Sequence, residues 1–185
     1  KEYRRQRQMC IRDRVGVSPR WGRWETADLS DTDRHLCEHA LDAALAVMNT
    51  YPRNSHTWGL IHADLRPSNI IRADNGDLTV IDFDDAGYSW YLYDYASSLS
   101  FVEHKPYAPQ LAKAWLDGYV SVAGSMSSEE LHVMSALSMI RRLQMLGWTT
   151  NHREDALPEG LAAEQAAGTV QCARNYLADA QWLLR

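Results

Sequence analysis

Residues 62–69 read His-Ala-Asp-Leu-Arg-Pro-Ser-Asn, and residues 81–86 read Ile-Asp-Phe-Asp-Asp-Ala. Between Asn69 and Asp82 lie two β-prone runs, 69–72 and 78–83, which are separated by Ala-Asp-Asn-Gly-Asp. Asn-Gly between such runs is a strong signal for a β hairpin. Because antiparallel pairing brings the start of one strand beside the end of the next, the pattern predicts Asn69 and Asp82 at one end of the hairpin.

The residue types in these two motifs match phosphoryl transfer, which needs alignment and charge neutralisation more than covalent chemistry. Asp64 is the candidate catalytic base, because a positioned carboxylate can accept the proton of an attacking hydroxyl. Arg66 could clamp the moving phosphate by paired hydrogen bonds. His62 is expected to support the loop from beneath. Asn69 and Asp82 supply the hard oxygen ligands that Mg²⁺ prefers.

The first motif meets the protein-kinase pattern His-x-Asp-Leu-x-x-x-Asn, with Ala63 in place of its arginine. The segment resembles the C-terminal lobe of the aminoglycoside phosphotransferase and choline kinase superfamily, nearest to its homoserine-kinase-like and stress-response kinase branches. The resemblance covers roughly residues 15–185, and its specific motifs occupy 62–94. It implies an α+β, mostly α, protein-kinase-like lobe in which a helical bundle carries a small β hairpin.

The same resemblance implies ATP as the phosphoryl donor, Asp64 as the base, and Asn69 and Asp82 as the Mg²⁺ ligands. Asp94, in Tyr-Asp-Tyr-Ala, resembles the aspartate that opens the next helix and hydrogen-bonds back to the catalytic loop. It is therefore interpreted as scaffolding.

Two departures from the protein-kinase pattern bear on the substrate. Asp84 replaces the glycine expected after Asp-Phe, and it could assist the metal, face the acceptor, or cap a turn together with Asp85. Only eleven residues separate Asp82 from Asp94, which leaves no room for a peptide-binding segment. These features favour a small-molecule hydroxyl as acceptor over a protein. The alternatives are a bacterial Ser/Thr kinase of the stress-response type and a stand-alone binding module of the pseudokinase type.

The chain shows no glycine-rich phosphate loop, and its only lysine before residue 62 is Lys1. A complete kinase needs both a glycine-rich loop and a strand lysine. We therefore expect an N-terminal lobe in the full-length protein, without which this fragment would be inactive. Residues 1–14 read like a translated sequencing adapter and are predicted to be non-native, with a natural basic arm as the alternative.

The 185 residues, of which 45% are hydrophobic, suit one globular lobe, and the net charge of −5 does not suggest nucleic-acid binding. Three cysteines without metal or disulfide spacing indicate a reduced, cytoplasmic setting. No apolar run is long enough to span a membrane.

Outside the hairpin the apolar spacing is helical. Helices are predicted over 31–48, 91–102, 111–122, 127–146 and 161–184. Ser127 and Glu130 form a predicted capping box, and Gly147 is expected to end the fourth helix. Among the aromatic residues, Trp90 or Tyr91 could touch the acceptor, although core packing is the more common role. The segment 148–155 could line an acceptor pocket or form a solvated loop.

Overall fold

The computed structural model describes residues 22–152 and 158–184. Five helices, α1 (Asp31–Thr50), α2 (Tyr93–Ser98), α3 (Ala108–Ala123), α4 (Ser128–Asn151) and α5 (Leu161–Ala178), form most of the fold. Four short strands follow α1, namely β1 (Trp58–Ile61), β2 (Ile70–Arg72), β3 (Leu78–Val80) and β4 (Gly87–Trp90). The prediction of a mostly α protein of the α+β class is confirmed.

Helix α4 is the centre of the core. Its residues from Val133 to Gly147 are buried on all sides, and it packs against α1, α2 and α5. Helix α1 contributes a stripe of small and sulfur-containing side chains at helical spacing, which is buried against α4 and α5: Cys37, Ala40, Ala44 and Met48. The helix bundle therefore supplies a rigid base for the strands and the loops between them.

The strands form two separate antiparallel pairs. As predicted, β2 and β3 make a hairpin, with Ile70 opposite Val80. The second pair, β1 with β4, was not predicted, and it sets Trp58 opposite Trp90. The expectation of a single small hairpin is therefore corrected. The 25 residues between β1 and β4, 62–86, form a loop that carries the β2–β3 hairpin and whose two ends are fixed side by side by the β1–β4 pairing.

Several helix boundaries differ from the sequence predictions. Helix α2 is shorter than the predicted 91–102, because Ser97, Ser98 and Ser100 bond back to backbone carbonyls and Phe101 has a left-handed φ of 74°. The predicted last helix, 161–184, ends earlier, at Ala178. Pro109 lies in the first turn of α3 and Gly124 follows its end, as expected.

Helix α4 begins with the predicted capping box, in which Ser127 and Glu130 exchange side-chain and backbone hydrogen bonds. It does not end at Gly147 but continues to Asn151. A Cβ at Gly147 would lie 2.7 Å from the carbonyl oxygen of Gly22. The glycine therefore serves close backbone packing within the helix, and the prediction that it ends the helix was wrong.

Within the described ranges, no helix combines the length and the apolar character needed to cross a bilayer. The predicted adapter-like segment, 1–14, lies outside the described residues.

Candidate functional site

The candidate catalytic loop, residues 62–69, is held at its start by the first turn of α2. The Asp94 carboxylate accepts hydrogen bonds from the backbone N–H of His62 at 3.0 Å and of Ala63 at 2.7 Å. The Ser97 hydroxyl accepts a third, from Leu65 N–H. Burial raises the pKa of Asp94, and the two backbone hydrogen bonds offset part of that rise. Asp94 thus has the scaffolding position predicted for it.

His62 joins the two sequence motifs. Its Nδ1 accepts a hydrogen bond from the backbone N–H of Asp64, so Nε2 carries the proton and donates to the carbonyl oxygen of Ile81 at 2.9 Å. The ring also contacts Phe83, with 4.7 Å between centroids. Both ring nitrogens are engaged with the backbone, so the structure places His62 under the loop that carries Asp64 and Asp82.

The carboxylate of Asp64 is almost fully enclosed by hydrogen-bond donors. Its Oδ1 accepts from Arg141 Nη2 at 2.7 Å. Its Oδ2 accepts from Arg66 Nε at 3.1 Å and from Asn69 Nδ2 at 3.1 Å, and Arg66 Nη2 lies 3.0 Å away. Asn69 also donates to the backbone carbonyl of Asp64. Two guanidinium groups and one amide therefore fix the orientation of the candidate base.

Arg141 is a residue that the sequence reasoning missed. It lies on the fully buried stretch of α4, where burial lowers its pKa, but Tyr93 and the Asp64 carboxylate raise it and the net shift is upward. Tyr93 Oη and Ser100 Oγ accept two of its other hydrogen bonds. The available signal was a charged residue inside the apolar run 133–146, where a buried cation needs an anionic partner.

The two candidate Mg²⁺ ligands lie at one end of the hairpin, as the sequence predicted. The backbone N–H of Ile81 donates to the carbonyl of Asn69 at 3.0 Å, which joins the start of β2 to the end of β3. Asn69 uses its amide nitrogen on Asp64, so its amide oxygen is the atom that remains for a cation. Asp82, with a left-handed φ of 64°, lies in an exposed position at the cavity that also contains Asp64.

Hard oxygen donors of this kind fit Mg²⁺, which keeps several waters and takes only one or two protein carboxylates besides phosphate oxygens. The described residues hold no preassembled cluster of three or more His, Cys, Asp or Glu. Asp84, the third predicted ligand, does not line the cavity, whereas its neighbour Asp85 does.

A cavity of about 210 Å³ opens beside the candidate base. It is bounded by carboxylates, arginines and apolar side chains: Asp64, Arg66, Asp82, Asp85, Phe101, Arg141, Met145 and Trp148. Phe101 and Trp148 form an aromatic wall, with 5.9 Å between ring centroids. The cavity therefore offers both carboxylates and two aromatic rings to a ligand.

The outcome for the aromatic candidates is mixed. Trp148, from the segment 148–155, lines the cavity, while residues 153–155 of that segment lie outside the described residues. Trp90 and Tyr91 do not line it. Trp90 packs edge-on against Trp58 and donates to the carbonyl of Pro52, and Tyr91 reaches the carbonyl of Ser55.

A larger cavity, of about 730 Å³, lies between the start of α1 and α5, and no residue of the two motifs lines it. Its lining is mainly small side chains together with Asp28, Asp33 and Arg174. We place the candidate site at the smaller cavity, because only that one contains the residues of the two motifs.

Comparison with known proteins agrees with the phosphoryl-transfer chemistry that the two motifs indicate. Residues 9–127, more than half of the chain, match the model of a family described as "Phosphotransferase enzyme family". The chain is 36% identical over 73 residues to amicoumacin kinase of Bacillus subtilis (strain 168), a match that covers 40% of this chain and 21% of that protein.

Two solved structures resemble the chain. A microcompartment-associated aminopropanol kinase is 31% identical with a TM-score of 0.82, over 96% of this chain and 55% of that one. The amicoumacin kinase hAmiN, solved with AMP-PNP, Ca²⁺ and Ami, shares the fold at 18% identity and a TM-score of 0.59, over 82% of this chain and 47% of that one. The chain spans about half the length of these solved relatives, and it belongs to the phosphotransferase enzyme family that the matching model describes.

Proposed function

We propose that this protein is the catalytic lobe of an ATP- and Mg²⁺-dependent kinase that phosphorylates a hydroxyl group of a small molecule. The observation that carries the proposal is the meeting of Asp64 and Asp82 at one cavity, with Asn69 bonded to Asp64 beside them. A base and two oxygen ligands in this arrangement are what phosphoryl transfer to an alcohol needs.

In the proposed reaction, the acceptor hydroxyl lies at Asp64 and gives its proton to that carboxylate. The hydroxyl oxygen forms a bond to the γ-phosphorus of ATP as the bond from that phosphorus to the bridging oxygen breaks, and ADP leaves. Arg66, with about a third of its side chain exposed, can turn from Asp64 to the transferred phosphate. Asn69 and Asp82 would hold Mg²⁺, which when bound would neutralise the charge of the phosphate.

The geometry favours a small acceptor over a protein. Residues 83–85 form a single 3₁₀ turn, and β4 then pairs with β1 before α2 begins at Tyr93. No part of this segment remains as a platform for a peptide. A cavity of about 210 Å³ with the Asp85 carboxylate and two aromatic rings suits a small amino alcohol, in line with the name of the relative that is 31% identical.

The strand side of the lobe supports the expectation of a further, N-terminal lobe in the whole protein. Large apolar side chains on and around the strands are exposed there: Leu60, Ile71, Leu78, Val80, Ile81, Phe83 and Tyr88. Large exposed apolar side chains grouped on neighbouring strands are typical of an interaction site. Its position beside Asn69 and Asp82 also suits the base and ribose of a nucleotide whose phosphates reach those ligands.

The test, made on the whole protein with its expected N-terminal lobe, is transfer of the γ-phosphate of labelled ATP, with MgCl₂, to a panel of amino alcohols, sugars and Ser/Thr peptides. We expect label on an amino alcohol. Label on peptides alone would favour the stress-response Ser/Thr kinase alternative, and nucleotide binding without any transfer would favour the binding module.

Two variants assign the roles within the site. Asp64→Ala should remove turnover, by at least a hundredfold, and retain nucleotide binding. Asp82→Asn should abolish Mg²⁺-dependent nucleotide binding, measured by calorimetry. Asp77→Asn is the matched control, since Asp77 lies in the exposed turn of the same hairpin and its side chain accepts a hydrogen bond from its neighbour Asn75. Full turnover in the Asp64 variant would contradict the assignment of the base.

A further inference from the structure

Two adjacent arginines on α4 are both fully buried but have different partners. Arg142 donates to Glu103 at 2.7 Å, to Thr169 Oγ1 and to the carbonyl of Gln165, so it joins α4 to α5 and to the loop after α2. Arg141 points instead to the candidate catalytic base. A buried charge must have paired partners, and each arginine has them, but only one of the two pairs reaches the site.

The guanidinium of Arg141 is itself oriented by neutral groups. Its Nε donates to Ser100 Oγ at 2.9 Å and its Nη1 to Tyr93 Oη at 3.3 Å. The Tyr93 hydroxyl then donates to Gln144 Oε1 at 2.6 Å. Because α2, the turn after it and α4 all contribute, the fork of the guanidinium has little freedom to rotate.

The two oxygens of Asp64 are thereby held in different ways. Oδ1 is bound by Arg141, whose side chain is only 2% exposed. Oδ2 is bound by Asn69 and by Arg66, whose side chain is 32% exposed and belongs to the loop itself. The Arg66 contact can be exchanged for contact with a ligand, whereas the Arg141 contact cannot be broken without opening the core.

We propose that Arg141 is a positioning residue for phosphoryl transfer: it fixes the Asp64 carboxylate through Oδ1, so that Oδ2 is the oxygen that receives the proton of the acceptor. This inference rests on the proposed function of the site. In it, Arg66 releases Oδ2 when the phosphate binds, while Arg141 keeps the carboxylate plane aligned with the cavity. A lysine at position 141 would keep the positive charge but would not replace the guanidinium, since the fork geometry is what orients the carboxylate.

The experiment compares, in the full-length protein, Arg141→Lys with Arg142→Lys, which is the same chemical change at the same burial one residue away. For Arg141→Lys we expect kcat to fall about a hundredfold, with KM for ATP and acceptor within about threefold of the original. For Arg142→Lys we expect lower stability but a kcat within about threefold. Equal losses of kcat in both variants, or an unchanged kcat in Arg141→Lys, would overturn the proposal.

If Arg141→Lys does not fold, Ser100→Ala replaces it, because that change removes one contact of the guanidinium and retains its charge. We expect Ser100→Ala to lower kcat about tenfold at unchanged KM. An unchanged kcat in this variant would count against the proposal.

A double-mutant cycle of unfolding equilibria tests the pairing without any need for turnover. Arg141→Lys and Asp64→Asn should be coupled at least tenfold in the unfolding equilibrium constant, about 1.4 kcal/mol. Arg142→Lys and Asp64→Asn should be coupled less than twofold. A full-length wild-type protein without transfer activity would contradict the proposed function, whereas absence of the coupling between 141 and 64 would contradict the positioning role.

Discussion

Three residues other than glycine have left-handed backbone conformations in the described part of the chain, and all three border the candidate site. Their φ angles are 70° at Ala63, 64° at Asp82 and 74° at Phe101. Such conformations cost about 1–3 kcal/mol each and persist where the surrounding contacts impose them. Here the contact to Asp94 imposes that of Ala63, and the resulting turn aims Asp64 at the cavity.

The cost at Ala63 gives a prediction about stability. Ala63→Gly removes about 1–2 kcal/mol of strain. It also loses a buried methyl group worth about 0.8 kcal/mol, and the greater freedom of glycine in the unfolded chain destabilises the fold by a further amount of about 0.5–1 kcal/mol. We therefore expect a change within about 1 kcal/mol of zero by urea denaturation. Ala63→Val should destabilise the fold by more than about 2 kcal/mol, because a β-branched side chain is incompatible with positive φ.

The control for Ala63→Gly is Ala136→Gly, at a fully buried position inside α4 with ordinary helical geometry. There we expect a loss of about 2 kcal/mol, from helix propensity together with the lost methyl burial. A loss at position 63 as large as that at 136 would show that Ala63 is not strained.

The site residues that the sequence could predict are those that lie close together along the chain. Asp64, Asn69 and Asp82 come together through one loop and one hairpin, so their spacing was sufficient to place them. Arg141 lies 77 residues after Asp64, and only the packing of α4 against α2 brings the two side chains together. The helical period places residue 141 in the core but does not identify its partner.

Among the elements, α4 decides the position of the site because it carries Arg141, Met145 and Trp148 on the side that faces the cavity. Its passage through Gly147 without a break is what brings Trp148 to that wall. Glycine after a run of periodic apolar residues is a common helix end, so the sequence signal was reasonable. It failed because the glycine is needed for contact with residues 22–24, which are remote in sequence.

Replacement of two helical glycines by alanine should have opposite effects on stability, because only one of them makes such a contact. At Gly147 an added Cβ would lie 2.7 Å from the carbonyl oxygen of Gly22 and 3.1 Å from the backbone nitrogen of Trp24. At Gly118, in α3, it would meet no atom within 4 Å. We expect Gly118→Ala to stabilise the protein by about 1 kcal/mol. Gly147→Ala should destabilise it by about 1–2 kcal/mol, since overpacking outweighs the gain in helix propensity.

Thermal or urea unfolding of the two variants measures this difference directly. Stabilisation by alanine at both positions would mean that residues 22–24 do not pack on α4 as described.

The missed strand pair has the same cause as the wrong prediction at Gly147, namely a contact between segments that are remote in sequence. The pair of β1 and β4 was missed because Gly-Tyr-Ser-Trp lacks a clear apolar alternation and its partner lies in a distant part of the sequence.

For the molecule as a whole, the helices bury a continuous core while the strands expose apolar side chains. The core extends from Trp24 through α1, α4 and α5 to Leu183. The exposed apolar residues between Leu60 and Tyr88 lie around the candidate Mg²⁺ ligands Asn69 and Asp82. This asymmetry fits the proposal that the described lobe is self-supporting through its helices and meets a further lobe through its strands. The overall class was predictable because it depends on periodicity summed over many residues.

If the helices form one cooperative core, the two buried thiols should report its global opening. Cys37 on α1 and Cys172 on α5 are fully buried, and burial raises their pKa values to about 11 and about 12, respectively. Thiolate is the reactive form, so both effects suppress reaction with Ellman's reagent at pH 8. In a Cys10→Ser background, which leaves only these two thiols, we expect reaction at least about a thousandfold slower than in 6 M guanidinium chloride.

A cysteine introduced at Ser125, in the exposed turn before α4, is the positive control and should react at the rate of the unfolded chain. Destabilising variants such as Gly147→Ala should accelerate the reaction of Cys37 and Cys172 by the same factor, because both thiols become accessible only when the core opens. That factor should equal the increase in the unfolding equilibrium constant of the variant. Fast reaction of Cys172 alone would instead show that α5 separates from α1 and α4 by local opening, and the helix bundle would then not be a single cooperative unit.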